Sequence, residues 1–72
     1  MIEQADPVLS AKARSRLLES PITELRELEV TEDGQCLLIS GRVRSFYHKQ
    51  LAQETVRQTA PGWTVLNRVD VD

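Results

Sequence analysis

The segment LLISGRVRSFYHKQLAQETV, residues 37–56, changes its hydrophobic period at its centre. Up to Arg44 the apolar residues occupy every second position, which is typical of a β-strand with one buried face. After Ser45 they recur at helical spacing, and serine is a favoured N-cap residue. The segment therefore predicts a strand that turns directly into a helix.

Gly41 lies in the strand half of this segment, on its apolar face. A glycine in a strand allows a bulge or the close approach of another backbone. We expect the small Ala52 of the helix to face Gly41, so that helix and sheet pack tightly. The helix should end at Pro61-Gly62, because Gly62 is available for the left-handed conformation that follows many helices.

A β-hairpin is predicted for ITELRELEVTEDGQCLLISGRVRS, residues 22–45. Its two strands meet at Asp33-Gly34, a dipeptide favoured where both turn residues need positive φ. A loop of these two residues places Val30 opposite Leu37. One face of the hairpin is then nearly all apolar and carries Leu28, Val30, Leu37, Ile39, Gly41 and Val43.

Two further elements flank this central region. Asp6-Pro7 predicts the start of a first helix and Ser20-Pro21 its end. Its apolar stripe consists of Leu9, Ala13 and Leu17, while Lys12, Arg14 and Arg16 are best interpreted as a solvated basic face. The final segment WTVLNRVDVD, residues 63–72, predicts a strand that alternates Val65, Asn67, Val69 and Val71 with Thr64, Leu66, Arg68 and Asp70.

The predicted order, αββαβ, indicates an α+β two-layer sandwich with both helices on one face of a three-stranded mixed sheet. A helical crossover joins the second and third strands, which should therefore run parallel. At 72 residues the chain should form a single domain over residues 1–72, with residues 1–5 disordered. The strand order is left open by the sequence.

Composition and charge exclude several classes of protein. A net charge of -2 provides no basic field for nucleic acid, and no apolar run approaches the ~20 residues of a transmembrane helix. The N-terminus MIEQADPVLSAKARS has no apolar signal-peptide core. The chain as written is expected to be cytoplasmic, or periplasmic or envelope-located if it is part of a longer exported protein.

No enzymatic, cofactor or metal site is predicted. The lone Cys36 is interpreted as an ordinary strand residue, and His48 as a surface histidine rather than a proton-transfer group. Helix capping suffices to explain Ser45. An acidic run precedes the hairpin turn and consists of Glu27, Glu29, Glu32 and Asp33. Because alternation spreads these side chains over both faces, a solvated edge is the favoured interpretation, and a weak divalent-cation site is the alternative.

The sheet face opposite the helices provides the main functional clue. It should carry Leu38 and Leu66 beside Cys36, interleaved with the arginines Arg42, Arg44 and Arg68. An apolar centre rimmed by arginines suits a protein partner or anionic head groups, although scattered surface leucines are also normal in soluble proteins. Trp63 is interpreted as the edge of the core, with an interfacial anchor as the alternative.

The chain resembles the BON domain family, named for bacterial osmotic-stress and nodulation proteins. The resemblance covers nearly the whole chain and rests on the order and spacing of the glycine strand 38–43, Gly34, Ser45, Lys49, Ala52, Val56, Gly62, Val65, Asn67, Val69 and Val71. It implies an αββαβ fold and a non-enzymatic role in attachment to phospholipid membranes or other envelope components. Members of the family usually carry an export signal and often two copies of the domain.

The expected function is therefore that of a binding module for anionic phospholipid or envelope components. The alternative is a protein-interaction module, including a homodimer, in the cytoplasm. Arg42, Arg44, Arg68, Leu38 and Leu66 form the candidate binding surface.

Overall fold

The computed structural model describes residues 9–72, in which helices and strands follow one another in the order ααββαβ. The helices are α1 (Leu9–Leu18), α2 (Thr23–Arg26) and α3 (Phe46–Thr59), and the strands are β1 (Glu29–Asp33), β2 (Cys36–Val43) and β3 (Thr64–Val71). The α+β class is confirmed. The predicted helix start at Asp6-Pro7 and the expected disorder of residues 1–5 lie outside the described residues.

The three strands form one mixed sheet in the order β1-β2-β3. β1 and β2 pair antiparallel, and β2 and β3 pair parallel through the α3 crossover. The mixed sheet and the parallel pair confirm the prediction. Strand β2 lies in the centre, so that β1 and β3 are both edge strands.

The core lies between the helices and one face of the sheet. The alternation predicted for β2 is confirmed, because Leu37, Ile39 and Val43 are buried while Ser40 and Arg42 are exposed. Helices α1 and α3 contact each other as well as the sheet. The buried apolar residues of the described chain are Ala13, Leu17, Leu25, Leu28, Val30, Leu37, Ile39, Val43, Ala52, Val56, Ala60 and Val69.

Local signals in the sequence define both ends of α3. The Ser45 side chain accepts a hydrogen bond from the backbone N–H of His48 at 3.1 Å, as expected for an N-cap. At the other end Gly62 has a φ of +86°, which confirms the left-handed conformation predicted there. Ala52 and Val56 are fully buried, so the predicted apolar face of the helix is also confirmed.

The first predicted strand is shorter than expected, because residues 23–26 form helix α2 instead. Leu25 and Leu28 are both buried, and their spacing of three residues is helical rather than alternating. The Arg26 side chain supports helix α2, because its guanidinium donates to the carbonyl of Ser20 at 3.0 Å and to the Thr23 hydroxyl at 3.2 Å. The strand prediction from residue 22 was therefore wrong up to Arg26.

The predicted hairpin register was also wrong. Asp33 pairs with Cys36, so the two-residue turn consists of Gly34 and Gln35 rather than Asp33 and Gly34. Gly34 does have the predicted positive φ, +65°. Val30 consequently lies opposite Ile39. Both registers keep the same residues on the covered face, so hydrophobic alternation did not distinguish them.

The nearest neighbour of Gly41 is Leu28, a contact that the sequence did not predict. A Cβ atom added to Gly41 would lie 2.6 Å from Cδ2 of Leu28 and 3.5 Å from its Cα. Continuing the observed register by one residue places Leu28 directly across from Gly41, whereas the predicted register would have opposed it to Ile39. The glycine therefore makes room for a buried leucine of the neighbouring chain segment, and its φ is +132°.

Candidate binding surface

The sheet face away from the core is open across all three strands, and we call it the open face. Thr31, Leu38 and Leu66 lie side by side on it in the β1, β2 and β3 register. Leu66 is 39% exposed and Leu38 is half-buried. The two predicted leucines are thus direct neighbours, and with half-buried Cys36 they form a small apolar strip.

Two of the three predicted arginines lie on the open face. Arg68 is paired with Ser40, next along the sheet from the leucine pair, and Arg42 is paired with Asp70. The Arg42 side chain is 74% exposed and its guanidinium lies 4.0 Å from a carboxylate oxygen of Asp72. An exposed ion pair of this length contributes little to stability, so the guanidinium is available to an external anion.

The third arginine, Arg44, lies beyond the end of β2 and beside helix α2 rather than on the open face. Its Nε atom is 3.7 Å from Oε2 of Glu24, and its backbone N–H donates to Oε1 of the same carboxylate at 3.1 Å. The side chain is 89% exposed. Arg44 therefore belongs to the end of the molecule where β2 passes into α3.

Glu24 is the centre of a polar cluster at this end. Its Oε1 lies 2.8 Å from Nδ1 of His48, whose ring is half-buried. The hydrogen bond with His48 is the main cause that lowers the pKa of Glu24, and the backbone N–H of Arg44 adds to it. The cluster ties α2 to the first turn of α3.

The contact between Glu24 and His48 was missed in the sequence because the two residues are separated by 24 positions. No periodicity links them, and α2 itself was not predicted. His48 consequently has a structural role, whereas the sequence favoured a surface histidine without one. The depression bordered by this cluster is shallow and open, and its lining also includes Ile22, Thr23 and Glu27.

Asn67 is the polar member of the covered face and connects β3 to α3. Its side-chain amide donates to the carbonyl of Lys49 at 2.9 Å and to the side-chain oxygen of Gln53 at 3.3 Å. Its own oxygen accepts the backbone N–H of Val69 at 3.2 Å. Both ends of the amide are therefore satisfied, and Asn67 acts in packing rather than binding.

The remaining candidates have ordinary surroundings. Trp63 is half-buried and packs against the core, in agreement with the core-edge interpretation. In the acidic run, Glu29 pairs with Arg14 at 3.6 Å and Glu32 accepts the backbone N–H of Ser10 at 3.1 Å. Within the described chain, no three His, Cys, Asp or Glu side chains come together as a metal ion would require.

Two exposed aromatic side chains were not singled out in the sequence. Phe46 is 75% and Tyr47 is 67% exposed, and they are the first two residues of α3. The signal for them was available: the helical stripe through Ala52 and Val56 gives neither ring a place in the core. None of the helices formed by residues 9–72 has the length and apolar character needed to cross a bilayer.

Comparison with known proteins gives one family match. A family model described as BON domain matches residues 5–72, essentially the whole chain. No curated protein matches the sequence significantly.

Proposed function

Because the chain belongs to the BON domain family, we propose that it is a non-enzymatic module that binds the anionic phospholipids of a membrane in the cell envelope. BON domains are known as non-catalytic binding domains, and they occur in periplasmic and envelope proteins. The family therefore supports a binding role, while the choice of ligand depends on the chemistry of this chain's surface.

The observation that carries the proposal is the open face. It presents the neighbouring leucines Leu38 and Leu66 with the guanidinium groups of Arg42 and Arg68 nearby on the same side. A guanidinium binds phosphate oxygens in a forked geometry, and half-exposed leucines favour the boundary between head groups and acyl chains. A broad, shallow surface of this kind suits a lipid layer better than a small soluble ligand.

The overall charge restricts how this binding works. With a net charge of -2, the protein as a whole is not attracted to an anionic surface. The favourable interactions must come from the few basic side chains that touch the lipid. Binding should therefore require anionic lipid. It should weaken as salt rises toward physiological ionic strength, where the Debye length is about 8 Å.

Vesicle co-sedimentation with anionic and neutral lipids tests the proposal. The variant R42E/R68E should lower affinity for anionic vesicles about thirtyfold or more, because each basic residue near the surface contributes about 1 kcal/mol. The matched control is K12E/R16E, which makes the same charge change on exposed residues of α1. Since α1 lies on the opposite side of the sheet, a planar bilayer on the open face does not contact these residues, and the control should bind more tightly than R42E/R68E.

Arg44 is unsuitable for this test because a glutamate there would lie beside Glu24. Failure of the wild-type protein to sediment with anionic vesicles at low salt would overturn the lipid proposal. The open face would then favour the second candidate, a homodimer or other protein contact through Leu38 and Leu66. Light scattering would detect that dimer, and L66E should abolish it.

A further inference from the structure

The first turn of α3 exposes two adjacent aromatic rings, Phe46 and Tyr47, which we call the aromatic tip. Their exposed fractions, 75% and 67%, exceed those of the other exposed large hydrophobic residues in the described chain, Leu18 at 50% and Leu66 at 39%. Neither ring packs against the core. An aromatic side chain left in water forgoes the free energy that its burial would supply.

The local structure does not require aromatic residues at these positions. Helix α3 is capped by Ser45, whose side chain accepts the N–H of His48 at 3.1 Å and whose carbonyl accepts the N–H of Lys49 at 3.2 Å. Phenylalanine and tyrosine are also weaker helix formers than alanine, glutamate or lysine. Neither capping nor helix propensity thus explains the aromatic tip.

Two exposed arginines precede the aromatic tip in the chain. Arg44 precedes Phe46 by two residues and is 89% exposed, and Arg42 at the end of the open face is 74% exposed. The neighbouring carboxylate of Glu24 already accepts hydrogen bonds from His48 and from the backbone N–H of Arg44. The Arg44 guanidinium, at 3.7 Å from Glu24, is therefore held only loosely and can contact an external phosphate.

The two rings are arranged for a deformable partner rather than a shaped pocket. Successive residues of an α-helix point about 100° apart, so Phe46 and Tyr47 project in different directions from the same end of α3. A protein pocket that received both would have to enclose the helix end. The interface of a bilayer has no fixed shape and accepts both, because tyrosine is favoured at the level of the head groups and phenylalanine at the boundary with the acyl chains.

We propose that the aromatic tip inserts into the interface of an anionic phospholipid bilayer while Arg42 and Arg44 contact the lipid phosphates. This inference rests on the proposed lipid-binding function and adds to it the orientation of the domain. The domain is then inclined on the membrane, so that the open face and the end of the sheet where β2 runs into α3 both contact the bilayer. Hydrophobic insertion also explains how a chain with a net charge of -2 can hold to an anionic surface.

Depth-dependent fluorescence quenching tests the orientation directly. Trp63 is the single tryptophan and lies at the edge of the core, so W63F removes it and F46W then reports on the aromatic tip alone. With anionic vesicles that contain brominated acyl chains, F46W/W63F should be quenched and its emission should shift to the blue. Trp63 of the wild-type protein should be quenched much less.

Affinity measurements provide the second test. In vesicle co-sedimentation, F46A/Y47A should weaken binding by about tenfold for each ring removed, since each loses most of its apolar burial in the interface. The matched control L18A removes another exposed hydrophobic residue, from the end of α1, and should leave the affinity unchanged. Circular dichroism shows whether each variant is folded, and quenching of F46W decides the question if F46A/Y47A is not.

The two proposals fail in different ways. Insertion of the aromatic tip is overturned if F46A/Y47A binds vesicles with wild-type affinity. It is also overturned if the tryptophan of F46W/W63F is not quenched on bound protein. Both outcomes leave the lipid-binding function in place. Absence of any wild-type binding to anionic vesicles overturns the function itself.

Discussion

The two faces of the sheet differ although they are made from the same strands. On β2, Leu37 and Ile39 are fully buried beneath the helices, while the alternating residues Ser40 and Arg42 are exposed on the open face. The covered face holds the core, and the open face holds a strip of two leucines beside arginines. Neighbouring residues of one strand are therefore divided between the core, which stabilises the fold, and a surface that is open to a partner.

Charged side chains are likewise absent from the buried residues of the described chain and present on the open face. None of the buried residues in the described chain is polar or charged, and Asn67, the polar residue of the covered face, is half-buried with its amide fully bonded. On the open face Arg42 lies opposite Asp70 and Arg68 lies near both. Substitutions on the covered face should therefore change the free energy of unfolding, while those on the open face should change binding.

The largest effect is expected at Gly41. The change Gly41→Leu forces side-chain atoms into the space of Leu28 and places a leucine at a φ of +132°. Overpacking costs about 1–3 kcal/mol and a strained backbone conformation about 1–3 kcal/mol more. A thermal melt should show a large fall in Tm.

The neighbour on the open face supplies the control for Gly41. The change Ser40→Leu adds the same side chain to the exposed side of β2, where it should change stability by about 0.5 kcal/mol or less. Equal falls in Tm for G41L and S40L would contradict the distinction between the two faces. A side chain added by G41A should also lower Tm. If L28A in the same protein restores part of that loss, Leu28 rather than Ala52 is supported as the neighbour of Gly41.

Truncation of adjacent leucines sharpens the comparison. The change Leu37→Ala should lower the free energy of unfolding by about 2–5 kcal/mol, because the buried side chain leaves a cavity. The change Leu38→Ala, one residue further along β2, should cost about 1 kcal/mol or less. Urea denaturation measures both. A loss for L38A as large as that for L37A would show that the open face is buried in solution, as in a dimer.

The smallest effect is expected from the Glu24 cluster at the end of the sheet. His48 and the backbone N–H of Arg44 lower the pKa of Glu24, so folding favours its ionised form. Its contribution to stability is complete above the ordinary pKa of a glutamate and is lost as the pH falls through the lowered pKa. The change Glu24→Gln should therefore destabilise the protein at neutral pH, and the difference from wild type should shrink in acid.

Urea denaturation over a series of acidic pH values measures this difference. In an H48A background, E24Q should have much less effect on stability, because the bond with His48 is the largest cause of the pKa shift of Glu24. A difference between wild type and E24Q that stays constant with pH would contradict the assignment.

The amino-acid sequence predicted those features that depend on residues close together in the chain. The Ser45 cap spans three residues, the stripe through Ala52 and Val56 spans one helical turn, and the alternation of β2 and β3 identified both faces of the sheet. Leu38 and Leu66 were correctly placed on the same face of the sheet. Each of these signals comes from backbone geometry that repeats every two or every 3.6 residues.

The features that join distant segments depend on tertiary packing. Two hairpin registers satisfied the same alternation, and the fit of Leu28 against Gly41 selects the observed one. Arg44 was expected on the open face, but the contact of Glu24 with His48, 24 positions away, brings α2 beside it. The physical reason is that periodicity determines which way a side chain points, whereas packing between segments determines what it meets.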